Sequence, residues 1–135
     1  MESAAFLLPL KPYFEAFAEA APGPRLALLK KSLTPDAQIC GPKRVFVGYA
    51  EIVQKIEDFQ TGWQQCRLVA ASGISSFSMA AHFAMAIVGP NAAVLAAGYS
   101  VVELAQDGRI HKVLAFWGPS ESLPATWPTA LSLPR

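Results

Sequence analysis

Gly98-Tyr99-Ser100-Val101-Val102-Glu103-Leu104-Ala105-Gln106-Asp107-Gly108-Arg109-Ile110-His111-Lys112-Val113-Leu114-Ala115-Phe116-Trp117-Gly118 is the stretch that decides the fold. Runs rich in β-branched and aromatic residues flank Asp107-Gly108, a dipeptide suited to the left-handed backbone of a hairpin turn, so the stretch reads as two antiparallel strands. Upstream, the same reasoning predicts strands over 66–72, 74–88 and 93–104, then 109–117, with turns at Gly89-Pro90-Asn91 and Asp107-Gly108.

The N-terminal half is read as helical. Residues 11–20 put Tyr13, Phe14 and Phe17 on one face and Glu15 and Glu19 on the other, with Pro12 in the first turn. Pro22-Gly23-Pro24 is expected to stop that helix, and 25–33 to form a second one ending before Pro35. A short strand over 36–41, an irregular crossing with an extended piece at 45–47, and a third helix over 49–61 follow. Ile52, Val53, Ile56 and Phe59 form the apolar face of that third helix. Helices first and an antiparallel run afterwards is an α+β arrangement.

A chain of 135 residues is long enough for one core. Residues 1–119 are assigned to the domain and 120–135, with Pro124, Pro128 and Pro134, to an extended tail, either docked on the body through Trp127 and Leu131, crossing to a second subunit or loose. No 18-residue apolar run suggests a membrane span. Residues 4–10 are apolar but lack a basic lead and are broken by Pro9 and Pro12, a poor leader, so a cytoplasmic location is expected. The net charge of +1 has no basic stripe, since Lys30-Lys31 and Lys43-Arg44 are isolated pairs, which argues against nucleic acid. Cys40 and Cys66 match no metal or redox spacing and read as reduced packing residues. With two histidines and no carboxylate cluster, neither a metal nor another cofactor is expected.

Alternation assigns the faces. Phe77, Met79, Ala81, Phe83, Met85 and Ile87 make one bulky side; Val94, Ala96, Gly98, Ser100 and Val102 follow on the next strand. The opposite side is apolar too, and hydrophobic residues make up 53% of the chain against 16% charged. The helices suffice to cover one face. The other, carrying His82, Ala84, Ala86, Tyr99, Val101, Leu114 and Phe116, is therefore expected to pair two copies as a homodimer.

This order of elements resembles the NTF2-like superfamily, which includes the SnoaL-like cyclases and the ketosteroid isomerases, over roughly 11–119. The most specific pieces are Gly108-Arg109-Ile110 and Ala115-Phe116-Trp117. The resemblance implies a cystatin-like α+β roll: three N-terminal helices on a strongly curved, mainly antiparallel sheet that encloses a cone-shaped pocket. Carried over by position, the pocket would be lined by Tyr13, Phe17, Gly41, Ile56, Phe83, Met85, Ile87, Ala96, Gly98, Ser100, Val113, Ala115 and Trp117. Pro35-Asp36-Ala37 looks like the superfamily's aspartate turn.

Two departures bear on chemistry. Ketosteroid isomerases use an aspartate base and hold the oxyanion with a Tyr and a protonated Asp. Gly41 stands at the base position and Ser100 at the protonated Asp, while the tyrosine's place falls on Phe17 or, with an extra turn, on Tyr13. Steroid isomerisation by that route is not expected. His111 shares parity with Val113, Ala115 and Trp117, so it is either an inward general base or a hydrogen-bonded residue at the sheet end. Tyr13, His111 and Asp36 are the candidate ionisable groups, and Tyr13, Trp63 and Trp117 are polar-tipped aromatics that suit either a flat apolar ligand or the core. Lys43 and Arg44 stand near the pocket mouth, as plain surface residues or as an attraction for an anion.

Three functions stay open: a binding domain for a small apolar or aromatic molecule; a SnoaL-like isomerase, cyclase or hydratase acting on a polyketide- or terpenoid-like substrate; or a dimeric structural module whose side chains fill the pocket.

Overall fold

The computed structural model describes residues 2–119 and 121–127. Its elements are α1 (Glu2–Ala18), α2 (Pro22–Ser32), β1 (Leu33–Cys40), β2 (Val45–Val47), α3 (Gly48–Gly62), β3 (Arg67–Ala70), β4 (Ser75–Phe77), β5 (Ala80–Val88), a 3-10 turn (Pro90–Ala92), β6 (Val94–Leu104) and β7 (Ile110–Trp117). The three helices and the strands make an α+β fold.

Helix α1 begins about two turns before its predicted start and takes in residues 4–10. Pro9 and Pro12 lie inside it. Each proline removes one intrahelical hydrogen bond, but the helix continues because Phe6, Pro9, Leu10, Tyr13, Ala16 and Phe17 form one buried stripe. Burial of that stripe outweighs the two lost bonds. Pro22-Gly23-Pro24 starts a helix instead of stopping one, since a proline in the first turn has no bond to lose. The chain reverses at 19–21. There buried Arg25 donates from Nε to the Glu19 carbonyl (3.0 Å) and from Nη2 to the Ala20 carbonyl (3.0 Å) and Gln60 Oε1 (2.9 Å). Gln60 Nε2 donates to the Phe17 and Glu19 carbonyls (3.0 and 2.9 Å). These bonds satisfy carbonyls that the end of α1 would otherwise leave orphaned, and they tie α1, α2 and α3 together.

The strands form one mixed sheet in the order β2-β1-β7-β6-β5-β3, with β4 also paired to β5. β1 and β7 run parallel and every other pair is antiparallel. The single strand expected over 74–88 is a hairpin. Ser78 adopts a left-handed φ of 56°, and β4 folds back on β5 with Ser75 opposite His82. Phe77 (83% exposed) and Met79 (45%) consequently sit in solvent, not on the buried face where alternation placed them. From Ala81 onward that alternation holds: Ala81, Phe83, Met85 and Ile87 are buried. The core lies between this face and the helices, around Phe6, Leu29, Ile39, Ile52, Ile56, Phe83, Val102, Ile110 and Val113.

The β6–β7 hairpin turns with Gly108 at φ 90°. Ala105 N–H donates to the Arg109 carbonyl (2.8 Å), and the Asp107 carboxylate accepts from Arg109 N–H (2.9 Å). The loop is thus one residue longer than a two-residue turn. A register shift follows: Leu104 pairs with Ile110, but Glu103 pairs with Lys112. His111 is the extra residue of this bulge.

No helix among the described residues is long and apolar enough to cross a membrane. In the tail, Leu123 and Trp127 are exposed, which argues against docking through Trp127, and Leu131 lies outside the described residues.

Candidate functional site

Between α1, α3 and the inner face of the sheet lies a cavity of about 440 Å³, within the range of small-molecule sites. Of the residues expected to line it, Tyr13, Phe17, Met85, Ile87, Ala96, Ser100, Val113, Ala115 and Trp117 do so. From Ala96 onward the even-numbered β6 residues face inward, whereas Val94, beyond the β5–β6 register shift, is exposed, contrary to its expected place; Val113, paired with Val102, resumes the inward parity on β7.

Four expected residues stand elsewhere. Ile56 and Phe83 point inward but are wholly enclosed in the core, Phe83 with its ring edge-on to Phe14 (5.9 Å). Gly98 allows β6 and β7 to approach so closely that a side chain there would run into the Phe116 carbonyl. Gly41 belongs to a groove on the other side of the sheet, with Cys40, Tyr99 and Phe116, because its strand has ended and the chain is turning away. Asp36 is exposed, its carboxylate accepting from the Thr34 hydroxyl (2.9 Å), and takes no part in the cavity.

His111 does not face inward. The bulge breaks its parity with Val113, and its Nε2 lies 3.7 Å from Glu103 Oε1 on the outer side of the sheet. Of the expected outer-face residues, Tyr99 and Phe116 are more than half exposed, His82 is exposed, and Ala84, Val101 and Leu114 are half-buried; Ala86 is buried.

Sequence reading missed Phe14, Ile39, Phe46, Lys55, Asp58, Phe59, Gly62 and Leu68 in the lining; Trp63, one of the polar-tipped aromatics offered for a flat ligand, lines it too. Lys55 had a legible signal: it lies three residues after Ile52 and four before Phe59, within the apolar stripe of α3.

The walls are aromatic. Phe17 packs edge-on against Tyr13 (5.2 Å) and Phe59 (5.7 Å). Two hydroxyls reach the interior. Ser100 is buried and its Oγ donates to the Met85 sulfur (2.8 Å). The Tyr13 hydroxyl has no hydrogen-bond partner among the described residues, and burial pushes its pKa far above the ordinary tyrosine range. It is therefore a neutral donor at physiological pH. At the mouth stand Lys55 and Asp58. Among the described residues no three His, Cys, Asp or Glu side chains gather as a metal site would require.

No family model matches the sequence, and no curated protein matches it either. Solved structures do. A candidate isomerase of the SnoaL-like family from Agrobacterium tumefaciens superposes with a TM-score of 0.77 at 22% identity, over 86% of this chain and 99% of that one. A cystatin-like-fold protein of unknown function from Methylobium petroleophilum gives 0.69 at 18% identity, over 92% and 82%. An NTF2-like protein of unknown function from Exiguobacterium gives 0.63 at 16% identity, over 83% and 99%.

The fold is NTF2-like.

In this NTF2-like fold the cavity occupies the space between helices and sheet, and its ionisable lining is Tyr13, Lys55 and Asp58. Neither the resemblance nor the strand pattern singled out Lys55 or Asp58.

Proposed function

We propose that this chain binds a small apolar or aromatic molecule in the cavity between α1, α3 and the sheet. The observation that carries this reading is a hollow walled by Phe14, Phe17, Met85, Val113 and Trp117 that its own side chains leave open, with an unpartnered hydroxyl, that of Tyr13, on its wall. Such a site suits a greasy body bearing an acceptor oxygen. Titration with N-phenyl-1-naphthylamine, whose fluorescence rises on leaving water, tests it. Saturable one-to-one binding is expected, together with quenching of Trp63 and Trp117, which both line the cavity. Ala115→Phe, which fills the hollow from β7, should abolish both signals. Absence of saturable binding to the wild type, by this dye and by its anionic counterpart 1-anilinonaphthalene-8-sulfonate alike, refutes the proposal and leaves the structural-module reading.

A second reading is turnover: an isomerase, cyclase or hydratase reaction on a polyketide- or terpenoid-like substrate. It draws on the SnoaL-like neighbour and on Tyr13, a neutral phenol able to hydrogen-bond a developing enolate oxygen. His111 contributes no base to it, since it faces the other side of the sheet.

We also propose that the outer face pairs two copies. Tyr99, Phe116 and Leu95 are each more than half exposed there, an apolar patch a lone molecule would leave wet. Sedimentation analysis tests this, with Tyr99→Glu expected to shift a dimer to monomer.

A further inference from the structure

We infer that the molecule taken by this cavity is an amphipathic acid, an apolar body whose anionic group lands on Lys55 at the mouth, beside Phe46. The inference rests on the cavity being a binding site, as proposed above, and adds the chemical class of the ligand.

Two cations converge on one ring at the mouth. The Lys55 ammonium lies 4.7 Å from the Phe46 ring centroid, and the Arg44 guanidinium carbon lies 4.2 Å from it. Phe46 and Lys55 both line the cavity. The face of an aromatic ring attracts each cation, but it also brings two like charges together. Arg44 has its counter-charge, Glu51, at 3.4 Å, and is exposed. Asp58 is exposed, and one of its oxygens accepts from the Gln54 amide (3.0 Å). Lys55 differs from both. It is half-buried, and among the described residues it makes no ion pair and no side-chain hydrogen bond.

An ammonium is a compact, strongly hydrated charge, and holding it partly dry at an apolar rim disfavours it unless an anion compensates. The balance of surrounding charge shows that compensation is incomplete. Burial lowers the Lys55 pKa, and Asp58, which opposes the shift, does not cancel it; Arg44 reinforces it. A neutral ligand would dry the ammonium further and return at most an uncharged acceptor oxygen, a weaker partner than an anion. A cationic ligand would be repelled by both Lys55 and Arg44. A carboxylate, sulfonate or similar group gives Lys55 its missing partner through a charge-assisted hydrogen bond while the apolar body fills the hollow.

Two dyes that share one apolar frame separate the outcomes: 1-anilinonaphthalene-8-sulfonate, and N-phenyl-1-naphthylamine, which lacks the sulfonate. Lys55→Met should weaken the anionic dye about tenfold, equivalent to about 1.4 kcal/mol, and, by removing the dried ammonium, should leave the neutral dye bound as tightly or more tightly. Lys55→Arg, which keeps the charge, should restore most of the loss. Equal effects of Lys55→Met on both dyes, or none on either, overturn the inference and leave the binding reading standing. Anionic dye that still binds Ala115→Phe lies outside the cavity and also overturns it. If neither dye saturates on the wild type, the binding reading itself fails, and this one with it.

Discussion

Replacing Tyr13 with phenylalanine should make the protein more stable while impairing its site. The phenol is 5% exposed, donates no hydrogen bond to any described residue and lines the cavity. A wholly enclosed hydroxyl without a partner costs about 1–3 kcal/mol; Tyr13 Oη faces the open cavity and is not among the fully enclosed unpartnered atoms, which among the described residues comprise Arg25 Nη1 alone, so the lower end applies. The ring would keep its edge-on contacts with Phe17 (5.2 Å) and Phe14 (5.6 Å), so no packing is lost. The expected gain for Tyr13→Phe is about 1 kcal/mol, a rise of about 4 °C in Tm for a domain of this size. The pH dependence follows from the same burial. The folded-state pKa is raised above the ordinary 10.0, so the stabilisation is complete below pH 10 and is lost as the pH rises beyond it, because the unfolded phenol ionises first. The slope approaches about 1.4 kcal/mol per pH unit, and the phenylalanine variant lacks this component. Urea unfolding at pH 7 and pH 10.5 measures both effects. A variant less stable than wild type at pH 7, with the same alkaline loss, would mean that the hydroxyl is satisfied and the site has no free donor.

Three further outcomes follow from packing and register. Gly98→Ala forces a methyl group against the Phe116 backbone across β6 and β7, which cannot step aside as a side chain would; a loss of about 2–3 kcal/mol in urea unfolding is expected, and under 0.5 would show the approach to be loose. His111→Ala should leave stability within about 0.5 kcal/mol and dye binding unchanged, since the residue sits in a half-exposed contact with Glu103; a tenfold loss of binding would return it to the cavity. Tyr99→Glu should convert a dimer to monomer in sedimentation, and a wild type that is already monomeric at high concentration would refute the pairing of outer faces.

Strand parity was legible because one face of a half-buried sheet selects bulk at every second residue, and Ala81 to Ile87 and Ala96 to Val102 obey that rule. Irregularities left weaker traces. The turn at Ser78 carries no glycine or proline, so Phe77 and Met79 read as a continuation of β5. The β7 bulge adds one residue with no change in composition, and this reversed the reading of His111. Pro9 and Pro12 looked like breakers, whereas Phe6, Leu10, Tyr13 and Phe17 already carried the helical spacing that overrides them. At the site, the inward strand residues were readable from parity, whereas on the helix-borne rim Lys55 was marked only by its place in the α3 stripe, against its polar type.

Local pattern alone was enough for the α+β class, the three helices, the β6–β7 hairpin and the inward side of the central strands, since these depend on periods of 3.6 and 2 and on turn residues a few positions apart. Register shifts, the Arg25–Gln60 junction between helices and the meeting of Arg44, Phe46 and Lys55 depend on residues distant in the chain or on a single inserted position. Those were decided in three dimensions, where packing of the whole core sets which side chain each bulge turns outward and which charge is left without a partner.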